Sequence, residues 1–148
     1  FGAKNKEKLE TTLSYSIKFG LLLEAIIGIL IFIFAEQVAF LFSYSTGASV
    51  LFDDLVIFLR ITALYYPVVP ASVAAASLFR GIGYGTISLF NTILRVIFLQ
   101  TLFSYILAIP FGFGLLGVWM GIVIGSFISV IISVTWAQYT IRKIFISP

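Results

Sequence analysis

Cysteine and histidine are both absent from this chain of 148 residues. Without cysteine it can form no disulfide, no thiolate nucleophile and no cysteine metal site. Without histidine it also lacks the commonest general base and metal ligand of proteins. The sequence contains neither a serine–histidine pair nor a paired-aspartate arrangement of the kind that an intramembrane enzyme needs. We therefore expect no catalytic residue, no metal site, no cofactor and no enzymatic activity.

Charged side chains are also scarce, at 10% of residues, whereas 61% are hydrophobic and the mean hydropathy is +1.15. An ordinary soluble domain has about a quarter of its residues charged. The composition therefore predicts a protein of the lipid bilayer, with membrane lipid as a partner. The basic residues are scattered along the chain, so nucleic acid is not an expected partner. Because the chain opens on Phe1 and a polar stretch, without a signal peptide, we expect a later part of a longer protein.

Four apolar stretches are long enough to cross a membrane, which takes roughly 20 residues of helix. No charged residue lies between Arg95 and Arg142, a distance too long for one span, and the turn sequence 110–114 interrupts it. The predicted fold is all-α, a polytopic integral membrane helix bundle. Its four transmembrane helices, spans one to four, are expected at about 17–41, 55–79, 86–109 and 115–140.

Lysine and arginine concentrate at alternate ends of these spans. Because short cytoplasmic connections are enriched in basic residues, this pattern predicts the orientation of the chain. We expect a multi-pass protein of the cell membrane whose N-terminal loop and C-terminal tail are both cytoplasmic, which also explains the net charge of +3. The basic residues in question are Lys4, Lys6, Lys8, Lys18, Arg80, Arg142 and Lys143.

Small residues recur at every fourth position of span four and predict close packing against another helix. Span one has a similar ridge of small residues, Gly20 and Gly28, but it also contains the ionisable residue Glu24. This ridge is expected to face a neighbouring helix rather than lipid. The residues of the ridge in span four are Gly117, Gly121, Gly125, Ser129 and Ser133.

Two ionisable residues fall well inside the spans, Glu24 in span one and Arg95 in span three. A charge at that depth costs about 2.5 kcal/mol or more in hydrocarbon unless it has a partner. Both lie at similar depth from the cytoplasmic end, so we predict an intramembrane charge pair, with a titrating or substrate-facing role for Glu24 as the alternative. Arg60 lies nearer the outer end of span two and is predicted to be a boundary anchor beside acidic residues, among them Glu36.

Two prolines interrupt span two in the sequence Tyr65-Tyr66-Pro67-Val-Val-Pro70. Each lacks an amide hydrogen, so two carbonyl groups lose their helical partners in mid-membrane. Such breaks are tolerated where protein, water or a cavity satisfies the freed groups. We predict that the two tyrosines and two prolines border a substrate cavity, and a simple packing kink is the alternative.

Five short motifs follow one another in a definite order. They are Phe-Gly-Ala-Lys-Asn at 1–5, Ala-Glu and Leu-Phe at 35–36 and 41–42, Leu-Phe-Arg-Gly-Ile-Gly at 78–83, and Leu-Leu-Gly-Val-Trp at 115–119. In this order and spacing they resemble the second half of the multidrug and toxic compound extrusion (MATE) family, from the loop before the ninth helix through the twelfth. The resemblance covers essentially the whole chain.

The resemblance implies a transporter of two six-helix lobes that exports organic cations, drugs or other amphiphiles by alternating access, driven by inward flow of sodium or protons. It implies that these spans are the last four of twelve, with the remaining helices and a small amphiphilic or cationic substrate as partners. The coupling acids best known in the family lie on helices one, seven and ten. The tenth-helix equivalent here has only Asp54 at its outer edge, so we carry over no coupling residue.

Two other functions stay open on the sequence alone. One is a flippase for lipids or lipid-linked oligosaccharides from the same superfamily, which would need a more basic central cavity. The other is a membrane module that does not transport and only assembles with partner proteins. The complete reading frame would discriminate best, because eight further spans upstream with a membrane acid in the first are expected for the transporter.

Overall fold

The structure is a computed structural model of the chain and describes residues 6–42 and 51–146. These residues form helices, and no strand occurs among them. Within them lie four helical stretches long and apolar enough to cross a membrane, as predicted: Glu7–Ile33, Phe52–Gly81, Gly85–Ala108 and Gly114–Lys143. The motif at 1–5 and the loop residues 43–50 lie outside the described residues.

Span one consists of α1 (Lys6–Ile33), and its outer continuation is a separate short helix, α2 (Ala35–Phe42). The helix begins well before the expected start near residue 17, because the polar stretch there is rich in good helix formers. The hydroxyl of Thr12 donates to the carbonyl of Lys8 at 2.7 Å within this early part.

Span two is broken in the middle, as the prolines predict. It consists of α3 (Phe52–Ala63), a short 3₁₀ segment (Tyr66–Val68) and α4 (Val69–Gly81). Neither proline can donate to the carbonyl four residues before it, so the α-helical ladder stops at Ala63 and resumes at Val69. The tighter 3₁₀ turn spans the gap, with the amide of Val68 donating to the carbonyl of Tyr65 at 3.1 Å.

Span three contains a feature that the sequence did not predict. Between α5 (Gly85–Ile93) and α6 (Thr101–Ala108) lies a π-helical segment, Leu94–Gln100, which includes Arg95. The side chain of Thr101 donates to the carbonyl of Val96 at 3.1 Å, five residues earlier. π-Helical turns inside α-helices are rare and are frequent at functional sites.

A tight turn connects span three to span four, α7 (Gly114–Ile146), as the sequence 110–114 predicts. Gly112 and Gly114 have φ angles of +73° and +56° in this turn. Only glycine adopts such angles without strain, so these two positions determine where the chain reverses.

The small-residue ridge of α7 packs directly against span three, which confirms its predicted role. A Cβ atom on Gly117 would lie 2.6 Å from the carbonyl oxygen of Leu107, and one on Gly125 would lie 2.8 Å from Cα of Gln100. A Cβ atom on Gly121 would meet the backbone of Ser104. The two helices therefore run antiparallel with their backbones almost in contact.

One apolar cluster joins the start of α1, the end of α4 and the end of α7. It includes Leu13, Phe79 and Ile141, all buried, with Trp136 packed edge-on against Phe79 at 5.8 Å between ring centroids. This cluster brings the lysine-rich start of span one to the same end of the bundle as Arg142. Most large apolar side chains elsewhere point outward, as expected of helices that face lipid or further helices.

Candidate functional site

Helix α1 approaches the broken part of span two very closely. A Cβ atom on Gly20 would meet the Cβ atom of Pro70. One on Gly28 would lie 2.9 Å from the carbonyl oxygen of Ala63, the group that loses its helical donor to Pro67. Glycine at these two positions lets the backbone of α1 cover the break.

Glu24 lies on the same ridge, one helical turn from each of these glycines. Because Gly20 meets Pro70 and Gly28 meets Ala63, the antiparallel packing puts Glu24 level with the region of Pro67. Its side chain is half-buried. The predicted close neighbour of this ridge therefore exists, and it is span two.

The four residues predicted to border a cavity all lie in the break and are all half-buried: Tyr65, Tyr66, Pro67 and Pro70. Pro67 also borders an apolar groove of about 390 Å³ between α1 and span two, together with Gly28, Phe32 and Ala63. Tyr65, Tyr66, Pro70 and Glu24 are not among the residues that line this groove. Of the four residues predicted to border a cavity, the structure thus brings Pro67 alone to the groove, whose walls are apolar. Such a groove can hold the apolar part of an amphiphile.

Arg95, in the π-helical segment of span three, lies away from the break and faces α4 and α7. It borders a polar pocket of about 160 Å³, here called the two-arginine pocket because Arg80 borders it as well. Asn91 and Thr92, four and three residues before Arg95, also border the pocket. The complete lining is Ser72, Val73, Ala76, Arg80, Asn91, Thr92, Arg95, Ser129 and Ser133.

The predicted pair of Glu24 and Arg95 does not form in the structure. Arg95 makes no ion pair with any described residue, and its buried Nε has no hydrogen-bond partner. The physical reason is the arrangement of the helices, since α1 packs on the two halves of span two and on α7, whereas the π segment packs on α5, α6 and α7. Two residues at equal depth in the membrane need not lie on neighbouring spans.

Arg60 pairs with Glu36, one of the acidic residues beside which the sequence predicts it. Its Nη2 lies 2.8 Å from Oε1 of Glu36, and its guanidinium lies over the ring of Phe32 at 5.9 Å. Both partners of the ion pair are solvent-exposed. The contact ties α2 and the end of α1 to span two at the end of the bundle opposite Arg80 and Arg142.

Sequence reasoning did not assign three polar residues to the contacts that they make in the bundle. Arg80 and Ser72 border the two-arginine pocket, and Gln100 donates from Nε2 to the hydroxyl of Ser126 at 2.7 Å. The signal available for Ser72 and Arg80 was their spacing of two helical turns on α4. Among the described residues, no group of three or more carboxylates is close enough to hold a metal ion.

Comparison with known proteins bears on the chain as a whole. The model of the MatE family matches residues 1–106. No curated protein sequence is similar enough to be matched to this chain.

Solved structures match over nearly the full length of the chain. It is 38% identical to a MATE-family multidrug resistance transporter of the MOP superfamily in its inward-facing conformation, with a TM-score of 0.94 over 99% of this chain and 33% of that one. It is 38% identical to an outward-facing structure of such a transporter, with a TM-score of 0.91 over 96% and 31% of the two chains. It is also 39% identical to a MOP-superfamily transporter of Pyrococcus furiosus Vc1, for which a reverse polarity of the binding pocket is described. That match has a TM-score of 0.92 and covers 95% of this chain and 31% of the other.

The chain therefore spans about a third of the length of these transporters. The matches confirm the resemblance and the all-α membrane fold that it implied. On the family match and the identity together, this chain belongs to the MatE family of membrane transporters.

Proposed function

We propose that the full-length protein is a secondary active transporter that exports organic cations, drugs or other amphiphiles in exchange for sodium or protons. The observation that carries this proposal is the match to MATE transporters in both inward-facing and outward-facing conformations. Because this part of the fold resembles both about equally, it is suited to move largely as one body, as alternating access requires.

The substrate would contact the break in span two and Glu24. The half-buried tyrosines offer aromatic faces and hydroxyl groups, and the groove beside Pro67 offers apolar contact. A carboxylate beside such a groove attracts an organic cation, and aromatic rings add a cation–π contribution. These features support a substrate that is both apolar and positively charged.

The orientation proposed from the sequence puts both ends of the chain on the cytoplasmic side of the cell membrane. The support is that Arg80 and Arg142 directly follow Phe79 and Ile141, which pack together with Leu13 in the apolar cluster at one end of the bundle. The partners would be membrane lipid and the remaining helices of the transporter. The coupling ion, sodium or a proton, would be bound by the full-length protein.

The proposal is tested by reconstituting the full-length protein in vesicles and following a fluorescent organic cation under an imposed sodium or proton gradient. We expect movement that requires one of the two gradients, and a rate at least about tenfold lower for Glu24→Gln, which removes one charge with little change of shape. Glu36→Gln at the outer surface is the matched control and should transport normally. Absence of gradient-driven transport would refute the proposal, and movement of a labelled lipid instead would favour the flippase alternative.

A further inference from the structure

We propose that the two-arginine pocket binds a phosphate group. The inference does not depend on what the protein exports, because it concerns a pocket separate from Glu24 and the break in span two. It rests on three observations: the charge of the pocket, the buried polar atoms in it that have no partner, and its place in the bundle.

The charge of the pocket is uncompensated within this chain. Its lining contains Arg80 and Arg95 and no acidic residue. All six acidic residues of the chain belong to α1, α2 or α3, and none lies on α4, span three or span four. A guanidinium inside a membrane protein needs a counter-charge or strong hydrogen-bond acceptors. The pocket therefore has the charge of an anion site.

Several polar atoms that point to a ligand are buried in the same lining. Ser129 is 1% exposed and Ser72 is 7% exposed, and the hydroxyl of each has no hydrogen-bond partner, like Nε of Arg95. Buried polar groups in membrane proteins are normally paired, since leaving one unpaired costs free energy. Nη2 of Arg80 donates to the hydroxyl of Ser77 at 3.1 Å, so the unpaired donors of the pocket are the two serine hydroxyls and Nε of Arg95. Hydroxyl and guanidinium donors around one space match the acceptor oxygens of a phosphate.

The helix register explains why these groups converge. Asn91 lies opposite Ser133 and Gln100 lies opposite Gly125 in the antiparallel packing of span three on α7. On the same register, Arg95 lies opposite Ser129. The π-helical segment begins one residue before Arg95 and changes the direction of its side chain relative to an α-helix.

The position of the pocket suits a phosphate that enters from one membrane surface. Arg80 is exposed and lies at the end of span two, whereas Arg95 lies ten residues beyond Gly85, about 15 Å along the helix. The pocket thus extends from an exposed arginine to one that is deeper. Its volume of about 160 Å³ is well above the roughly 30 Å³ that one water occupies in the liquid. A lipid headgroup phosphate and a free phosphate ion both have the required chemistry.

The test uses the full-length protein in detergent free of phospholipid and measures the midpoint of thermal unfolding during titration. One arm adds inorganic phosphate, with chloride at equal ionic strength as the reference. The other adds phosphatidylglycerol, with diacylglycerol, which lacks a phosphate group, as the reference. Stabilisation in the first arm supports a free anion as the ligand, and stabilisation in the second arm alone supports a lipid headgroup.

In either arm, Arg95→Gln should weaken the apparent affinity by at least about tenfold, because a charge-assisted hydrogen bond is lost. Arg95→Lys should retain part of the affinity, since it keeps the charge without the planar fork of donors. Arg60→Gln, at the opposite end of the bundle, should bind as the unchanged protein does.

A second variant addresses the case in which Arg95→Gln does not fold. Ser129→Val keeps both arginines and puts methyl groups into the pocket, so it should also weaken binding by about tenfold if the phosphate lies there. The proposal fails if neither probe stabilises the unchanged protein. It also fails if a probe that stabilises the unchanged protein stabilises Arg95→Gln and Ser129→Val equally, because the phosphate group then binds outside the pocket.

Discussion

The amide of Asn91 donates from Nδ2 to the hydroxyl of Ser133 at 2.7 Å, and both side chains are buried. The hydroxyl oxygen of Ser133 also lies 2.7 Å from the carbonyl oxygen of Ser129, one turn earlier on α7. This hydrogen bond joins span three to span four at the end of the bundle where the chain is basic. Ser133 is also the last residue of the small-residue ridge of α7.

We expect this hydrogen bond to stabilise the pairing of the two spans by a modest amount. In a double-mutant cycle with Asn91→Ala and Ser133→Ala, the coupling energy should be about 0.5–1.7 kcal/mol, the range found for hydrogen bonds between membrane helices. The measurement is chemical unfolding of the full-length protein. Thr135→Ala is the control, because that hydroxyl donates to Ile131 of its own helix and is exposed. Additive losses would show that the two side chains are not coupled.

The glycine ridge should tolerate no added side chain. Gly121→Ala puts a methyl group against the backbone of Ser104, which cannot move away as a flexible side chain could. We expect destabilisation of about 1–3 kcal/mol, typical of overpacking. Gly81→Ala is the matched control, because nothing lies within 4 Å of the added atom. A thermal unfolding midpoint that falls equally for both variants would contradict the close packing.

The anchor at the outer surface should contribute little to stability. The side chains of Arg60 and Glu36 are 42% and 61% exposed, so their attraction is screened by water and salt. We expect Glu36→Gln to lower the free energy of unfolding by about 0.5 kcal/mol at low salt and by less at high salt. Gln37→Glu is a useful comparison, since it adds a charge beside the pair without removing one. A loss of several kcal/mol from Glu36→Gln would mean that the pair is shielded from solvent in the full-length protein.

Much of the fold could be predicted from the sequence, because hydrophobic length and turn chemistry act locally. The number of spans, the break at Pro67 and Pro70, and the turn at Gly112 and Gly114 all follow from which residues can continue a helix. The ridge of α7 was predictable for a similar reason, since a repeat of four residues lies on one face of a helix.

The arrangement of the spans could not be predicted in the same way. Depth along the bilayer suggested that Glu24 and Arg95 would meet, but depth is one coordinate, and the choice of neighbours is set by packing across the bundle. The π-helical segment could not be predicted either, because the sequence 94–100 contains no glycine or proline that would signal an irregular helix. The π-helical geometry occurs where span three lies in close contact with α7, and such packing between helices cannot be read from the local sequence.

The break in span two provides the sharpest test of the proposed cavity. Replacing Pro67 and Pro70 together with alanine restores two amide donors, so the helical ladder can run through from α3 to α4. The exchange keeps the Cβ atom of Pro70, which is the atom nearest to Gly20. Close packing on α1 is therefore retained while the cause of the break is removed. Pro110→Ala, in the exposed turn between spans three and four, is the matched control.

We expect the double variant to insert and express normally but to export its substrate more slowly, because a straight span cannot change its angle at the break. Spin labels at the exposed positions Ile57 and Val73 flank the break and are sixteen residues apart in the chain. In a continuous helix they would be separated by about 24 Å along the axis, and their distance distribution should narrow toward this value. If the distribution narrows and efflux at matched protein levels is unchanged, the prolines serve packing alone. In that case Tyr65 and Tyr66 do not border the path of the substrate.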